Sequence, residues 1–276
     1  MKRADVVRTI ALKELSDRLR NHWIWTVSVL VLVTTLAIAF LGAAPVGVVG
    51  ARGSGVVMAS ILNLAVYLVP LLALVMGAGV IIEEKRRGIL DLILVYPVSS
   101  GEYFLGTFLG YAVALSIALV ASFVPAAFVL AYTTGINLAE YGLLLGLILA
   151  LGVAFLALSF LISILARDPA RAVASSVLLW ICAVLVFDLV LVGALVLYPG
   201  VPPSTFGLAL LLNPADIFRL LAFSWVGSAA SPLGLATVAP PFPATVLIAS
   251  LLLWITVPLV LSHHLFRRRL AMDSLI

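Results

Sequence analysis

Apolar residues fill six long runs of the chain, and short polar or charged segments separate these runs. Each run is continuous rather than alternating, which favours helices over the strands of a membrane β-barrel. Each run also has the roughly 20 residues that a helix needs to cross the apolar core of a bilayer. The predicted spans are residues 23–42, 56–82, 103–132, 141–166, 172–198 and 242–266. The pattern predicts an all-α, polytopic membrane protein with a single transmembrane domain over residues 1–276.

The composition supports this interpretation, because 64% of the residues are apolar and only 10% are charged. An ordinary soluble domain has about a quarter of its residues charged. This difference excludes a soluble globule, a disordered segment and a nucleic-acid-binding module, and it leaves the lipid bilayer as the expected surroundings. The single cysteine, Cys182, excludes a disulfide framework.

The positions of the basic residues predict the orientation. All but two of the 16 lysines and arginines lie before the first predicted span or after the second, fourth or sixth, and the exceptions are Arg52 and Arg219. Basic residues concentrate on the cytoplasmic side of membrane proteins. We therefore expect both termini in the cytoplasm of a multi-pass protein of the cell membrane. The net charge of +4 reflects this orientation rather than an anionic partner.

Residues 1–22 have apolar positions near helical spacing, with charges elsewhere around the helix. This pattern predicts an amphipathic helix that lies in the membrane interface and leads into the first span. A solvated leader is the alternative. Two further pairs, Gly106 with Gly110 and Gly142 with Gly146, have the spacing that permits close approach of membrane helices.

The segment 83–102 is the most informative loop. Charged residues at the membrane edge are followed by an apolar helix that is too short to span and ends at Pro97. Ser99 and Glu102 then form a plausible capping box for the next span. We expect a docking element for a soluble partner, although a plain turn at the membrane edge is the alternative. The candidate contact residues are Glu83, Glu84, Arg86, Arg87, Gly88, Leu90, Asp91, Leu94 and Pro97.

The long loop of residues 199–241 is rich in proline and has a helix start in its middle. Asn213 is a good N-cap, Pro214 suits the first helical position, and Asp216 suits the positive end of the helix. A short helix from Pro214 to about Trp225 follows, apolar on most faces. We expect this helix to dip into the outer leaflet or to pack on the bundle.

Asp188 is the only ionisable residue well inside a predicted span, where a charge costs roughly 2.5–3.5 kcal/mol. Arg219 is the nearest candidate base, so we predict an Asp188–Arg219 pair that ties the outer helix to the fifth span. The alternatives are that Asp188 faces a water-filled dimer cleft unpaired, or that it is protonated. The polar candidates in this half are Asp188, Asn213, Asp216 and Arg219.

Catalytic and cofactor motifs are not found. None of the three lysines stands in a phosphate-binding loop, and the histidines lie at the predicted cytoplasmic edge, where anchoring is their expected role. Glutamate-based membrane peptidases have Glu-Glu followed by a spaced arginine, whereas here that position is Gly88, and no span contains a buried histidine. We therefore expect no enzyme activity, metal site or cofactor in this chain.

Several motifs resemble those of ABC-2 type transporter permeases, and the resemblance covers nearly the whole chain. They are Glu83-Glu84, the run Gly88–Leu94, Tyr96-Pro97-Val98-Ser99, Glu102–Gly106, and Lys13-Glu14-Leu15 before the first span. The resemblance implies that residues 86–97 form a coupling helix inserted into a separate ATPase subunit, which binds ATP and Mg²⁺. It also implies that the N-terminal helix touches this ATPase.

Two further stretches, Phe187-Asp188-Leu189 and Leu212–Leu220, resemble the permease subunits of transporters that mature nitrous oxide reductase. This closer resemblance implies a homodimer, two ATPase subunits, and a periplasmic β-helical protein that faces residues 199–241, with a copper chaperone. The assembly would support maturation of the copper–sulfur centre of the reductase. A general ABC-2 exporter of lipid, peptide, drug or ion remains the alternative, because related permeases share these motifs.

Overall fold

A computed structural model describes residues 3–41, 54–88, 98–198, 203–226 and 242–273, and every element in these ranges is helical. The helices are α1 (Arg3–Arg20), α2 (His22–Leu41), α3 (Ser54–Ala78), α4 (Val80–Arg86), α5 (Ser100–Thr134), α6 (Leu138–Leu165), α7 (Pro169–Trp180), α8 (Phe187–Leu197), α9 (Pro203–Leu210), α10 (Pro214–Trp225) and α11 (Ala244–Asp273). A π-helical segment, Ile181–Val186, joins α7 to α8. The all-α prediction is confirmed.

Within the described ranges, five helical stretches are long and apolar enough to cross a membrane. They are Ser54–Arg86, Ser100–Thr134, Leu138–Leu165, Pro169–Leu197 and Ala244–Arg268. A sixth is obtained if α1 and the following helix, which meet at a bend of 64°, count as one broken span. The chain is therefore a multi-pass membrane protein, as the apolar runs predict.

Helix α6 lies at the centre of the bundle and packs against α3, α5, α10 and α11. Large aromatic side chains fill the core around it. The ring of Phe160 makes edge contacts with Phe104, Phe108 and Tyr111 at centroid separations of 5.3 to 5.9 Å. Such edge-to-face pairs are favourable beyond the area that they bury. The core is thus organised on one helix whose two ends lie at opposite ends of the bundle.

The structure adds two polar span ends and one further helix to the sequence expectation. The second span continues as helix to Arg86, so Glu83, Glu84 and Arg86 belong to a helix rather than to a loop. The fifth span begins earlier, at Pro169, because the Asp168 carboxylate accepts the Arg171 amide and caps the helix. A further helix, α9, precedes α10. Hydropathy alone does not predict the ends at Arg86 and Pro169, because the charged last turn of the one and the Asp168 cap of the other are hydrophilic.

Helix α1 packs along the first turns of α5, and residue numbers increase in the same direction in both helices. The contact faces include Ile10 against Gly106 and the backbone of Ala11 against Gly110. Helix α5 has 35 residues, about 52 Å, which exceeds a bilayer core of about 30 Å. The amphipathic segment is therefore docked on a helix of the bundle and is not a solvated leader.

Candidate coupling region and polar cluster

The predicted coupling residues that the structure describes form a charged rim at the end of α4. Glu83 and Arg87 make an ion pair of 3.5 Å between Oε2 and Nη2, and both side chains are at least half exposed. Arg86 is exposed beside them. Gly88 then has φ of 68°, a left-handed conformation that glycine adopts at low cost and that commonly ends helices.

Leu90, Asp91, Leu94 and Pro97 lie outside the described residues, which end at Gly88 and resume at Val98. The far side of this segment has the predicted capping box. The Glu102 amide donates to Ser99 Oγ at 3.2 Å, and the Ser99 amide donates to Glu102 Oε2 at 2.9 Å. The described residues on either side of 89–97 are thus a helix end, at Arg86–Gly88, and a capped helix start, at Ser99–Glu102.

Buried polar groups of α1, which the sequence analysis missed, lie near this rim. Glu14 is 3% exposed and accepts a hydrogen bond from Lys13 Nζ at 3.0 Å. The Arg18 guanidinium lies 4.5 Å above the ring of Tyr111, a cation–π contact. Arg18, Glu83 and Tyr111 line the same cavity. These contacts place charged groups of α1 beside the start of the predicted coupling segment.

At the opposite end of the bundle, the structure contains the predicted pair between Asp188 and Arg219. Arg219 Nη1 donates to Asp188 Oδ1 at 2.8 Å and to Asp216 Oδ1 at 2.7 Å. Asp216 is buried, and Asp188 is about one-third exposed. One guanidinium thus joins α8 to α10 and serves two carboxylates, of which the sequence analysis paired only one.

Asn213 connects the same cluster to the π segment. Its Oδ1 accepts the Ala215 amide at 3.1 Å and caps α10, which runs from Pro214 to Trp225 as predicted. Its Nδ2 donates to Asp216 Oδ2 at 2.8 Å and to the Ala183 carbonyl at 2.7 Å. Bonds in a π segment reach five residues back, and the last one here runs from the Phe187 amide to the Cys182 carbonyl. Where the spacing returns to that of an α-helix, the Ala183 carbonyl has no amide of its own helix as a donor. The Asn213 side chain supplies that hydrogen bond instead.

The charge balance of this cluster depends on Asp216. Burial raises the pKa of the Asp216 carboxyl to about 6, and Asp188 adds to the effect, while Arg219 opposes it. With both carboxylates ionised, the cluster has one negative charge more than the single guanidinium balances. Of the two expected placements of α10, in the outer leaflet or on the bundle, the structure shows the second, and Ile217, Phe218 and Leu221 are fully buried.

Among the described residues, no group of three His, Cys, Asp or Glu side chains is placed to hold a metal ion. The polar residues that are buried include two serines of α6, Ser159 and Ser163, which the sequence analysis did not single out. A signal was available, because the two are spaced four residues apart in an otherwise apolar helix and therefore share a face.

A family model described as ABC-2 family transporter protein matches residues 8–270. The chain is 39% identical over 272 residues to the probable ABC transporter permease protein NosY of Pseudomonas aeruginosa, covering 96% of this chain and 98% of the relative. It is 38% identical to the protein of the same name from Stutzerimonas stutzeri, covering 96% and 99%. These full-length matches agree with the bundle of apolar helices and with its charged rim. The chain belongs to the ABC-2 family of transporter permease subunits.

Proposed function

We propose that this permease subunit couples ATP hydrolysis on a separate ATPase to maturation of the copper–sulfur centre of nitrous oxide reductase. The observation that supports this role most directly is the near-full-length similarity to two permeases named NosY. The reductase role itself comes from the resemblance of the motifs around Asp188 and Asn213. The role is compatible with transport of a substrate across the membrane and with a conformational signal to the extracytoplasmic side of the membrane.

The ATPase contact is assigned to residues 86–97 together with the exposed rim of α4. Glu83, Arg86 and Arg87 are exposed there, as a docking surface for a soluble subunit requires. ATP and Mg²⁺ would bind to the ATPase, and this chain would hold no cofactor. Helix α1 is the second proposed contact, because Lys13 and Asp17 are exposed on its surface.

A second copy of the chain is the proposed partner within the membrane. In the most apolar 18-residue stretch of the fifth span, Pro169–Leu197, only 6% is buried inside the protomer, whereas the corresponding stretch of Leu138–Leu165 is 67% buried. Such an uncovered apolar face needs lipid or another subunit. At the outer end, residues 199–241 would face a periplasmic β-helical protein and a copper chaperone, and the Asp188–Arg219–Asp216 cluster would hold α10 in place beneath them.

Deletion of the gene in its own host tests the proposed role. We expect the deletion strain to accumulate nitrous oxide and to produce a reductase without the visible absorption of its copper–sulfur centre, and the intact gene to restore both. A copy with Gly146→Ala, a site where an added Cβ has open space, should also restore them and serves as the control. A fully loaded reductase in the deletion strain would instead favour the general exporter.

A further inference from the structure

The second span is broken two turns before it ends. Helix α3 stops at Ala78 and α4 begins at Val80, and the residue between them, Gly79, has φ of −95° and ψ of −9°. The two helices still run on as one helical stretch, Ser54–Arg86, so the break is a local irregularity of hydrogen bonding. The Glu83 amide bonds to the Gly79 carbonyl at 2.9 Å, so a new ladder of hydrogen bonds starts at the break. The first amides of a new helix have no acceptor within it. In an apolar bundle these amides need a partner from another helix.

Two serines of α6 supply bonds on either side of the break. Ser163 Oγ accepts the Ile81 amide at 3.0 Å and, more weakly, the Ile82 amide at 3.4 Å. One turn earlier on α6, Ser159 Oγ donates to the Leu74 carbonyl at 2.6 Å. Both serines are fully buried. The same face of α6 therefore binds the backbone before the break and after it.

The packing around the break is tight. A Cβ on Gly77 would lie 2.6 Å from Ser159 Oγ and 3.1 Å from the side chain of Leu156. Beyond the break, Val80, Ile81 and Ile82 are buried, and the chain becomes exposed only at Glu83. The short helix that leads to the predicted coupling segment is thus held on α6 by apolar contacts and by backbone hydrogen bonds.

We propose that Ser163, assisted by Ser159, is a positioning residue for ATPase coupling: it fixes the direction in which Val80–Gly88 leaves the bundle. This inference rests on the proposed coupling role of residues 86–97. When the ATPase moves residues 86–97, the Ser163 contact transmits the movement to α6. Without this contact, a change of angle at Gly79 would take up the movement. Because α6 also packs against α10, the movement reaches the Asp188–Arg219–Asp216 cluster.

The dimensions support such a relay. Helix α6 has 28 residues, about 42 Å, and it has no proline within it. Near its outer end, the Tyr141 hydroxyl donates to the Phe123 carbonyl of α5 at 2.8 Å and keeps the helix in register with its neighbour. A packed helix of this kind shifts as a body rather than bending locally. Within the described part of this path, the Ser163 contact therefore bridges the irregularity at Gly79.

The test compares three substitutions in the full chain co-expressed with its ATPase. Ser163→Ala removes the acceptor, Ser163→Thr keeps a hydroxyl, and Ser122→Ala is the matched control. Ser122 is also buried, but its hydroxyl bonds only to the Ala118 carbonyl of its own helix. The measurements are ATPase co-purification, kcat and KM for ATP, and the thermal unfolding temperature.

We expect Ser163→Ala to retain the ATPase and its KM, while the permease-dependent part of kcat falls about two- to thirtyfold, the range seen for interior positions that couple sites. Ser163→Thr and Ser122→Ala should keep the wild-type kcat. Full kcat in Ser163→Ala would overturn the inference, as would equal losses in Ser163→Ala and Ser122→Ala. If the wild-type chain does not bind the ATPase, the proposed function fails instead.

A second variant keeps the test valid if Ser163→Ala does not fold. Gly79→Ala favours a continuous helix, and its added methyl would meet only the flexible Glu83 side chain, 3.0 Å away. Spin labels at the exposed positions 86 and 167, in a Cys182→Ser background, report the direction of α4. We expect the distance distribution to change in Gly79→Ala and Ser163→Ala but not in Ser122→Ala. An unchanged distribution in both break variants contradicts the positioning role.

Discussion

At the scale of single residues, Arg219 is shared between two carboxylates through one nitrogen atom. Losing either carboxylate leaves the guanidinium with a charged partner, so the cost is that of one charge-assisted hydrogen bond. Losing both leaves an unpaired charge in a largely buried place. Exchanging Asp188 and Arg219 would place a second carboxylate beside Asp216, and the two negative charges would repel each other. Neutral substitutions avoid this added repulsion and therefore test the cluster more directly.

We predict non-additive losses in a double-mutant cycle at these positions. At neutral pH, Asp188→Asn should lower the free energy of unfolding by about 1–2 kcal/mol. Asp216→Asn should lower it less, because burial already disfavours the ionised Asp216 carboxyl. The double variant should lose more than the sum of the two single losses, because Arg219 is then an uncompensated charge in a largely buried place. Reversible unfolding in mixed detergent measures all three. If the loss in the double variant equals the sum of the single losses, one remaining carboxylate does not compensate the charge of Arg219, and the prediction is contradicted.

The raised pKa of Asp216 predicts a pH dependence of stability. Between about pH 4 and pH 6, the folded carboxyl holds a proton that the unfolded chain has released, because burial raises its folded pKa to about 6. This contribution is therefore lost as the pH rises through that window. We expect the unfolding temperature of the wild type to fall more across the window than that of Asp216→Asn. Parallel pH profiles for the two proteins would contradict the assignment.

At the scale of helices, the glycine pair Gly106 and Gly110 contacts another helix closely, whereas the pair Gly142 and Gly146 does not. A Cβ on Gly110 would lie 2.6 Å from Glu14 Cβ and 2.8 Å from the Ala11 carbonyl oxygen. A Cβ on Gly142 or Gly146 would meet nothing within 4 Å in the described part of the chain. The first pair therefore forms the seat of α1, whereas the sequence spacing could not distinguish the two.

This difference predicts opposite results for two alanine substitutions. Gly110→Ala should push α1 away and cost about 1–3 kcal/mol, as overpacking does. Gly146→Ala should leave the stability unchanged or improve it slightly, since alanine favours helices. Thermal unfolding, with trypsin cleavage at the arginines of α1 as a local readout, checks both. Equal behaviour of the two variants would mean that α1 does not seat on Gly110.

Local signals predicted the elements whose cause is local. The helix Pro214–Trp225 and the Ser99–Glu102 capping box follow from neighbouring residues, and the Asp188–Arg219 pair followed from the scarcity of charge. The π segment and the break at Gly79 were not predicted. Each depends on a distant donor or acceptor, Asn213 for the Ala183 carbonyl and Ser163 for the Ile81 amide. Long-range pairs of this kind leave no mark in the local pattern.

At the scale of the whole molecule, two groups of charged residues lie at opposite ends of the bundle. One is the rim of α4, with Glu83, Arg86 and Arg87, next to the predicted coupling segment. The other is the cluster of Asp188, Asp216 and Arg219 at the opposite end. Helix α6 contacts the helices that hold both places. We therefore expect the ATPase contacts at one end of the bundle, the outer element at the other end, and a packed helix between them.

The most direct test replaces residues 88–95 by a Gly-Ser segment of equal length and co-expresses the variant with the adjacent ATPase. We predict that the variant reaches the membrane but loses the ATPase on co-purification. Asp188→Asn, at the opposite end of the bundle, should retain the ATPase and serves as the control. Co-purification of the ATPase with the replaced segment at the wild-type level would contradict the assignment of residues 86–97 as the coupling element.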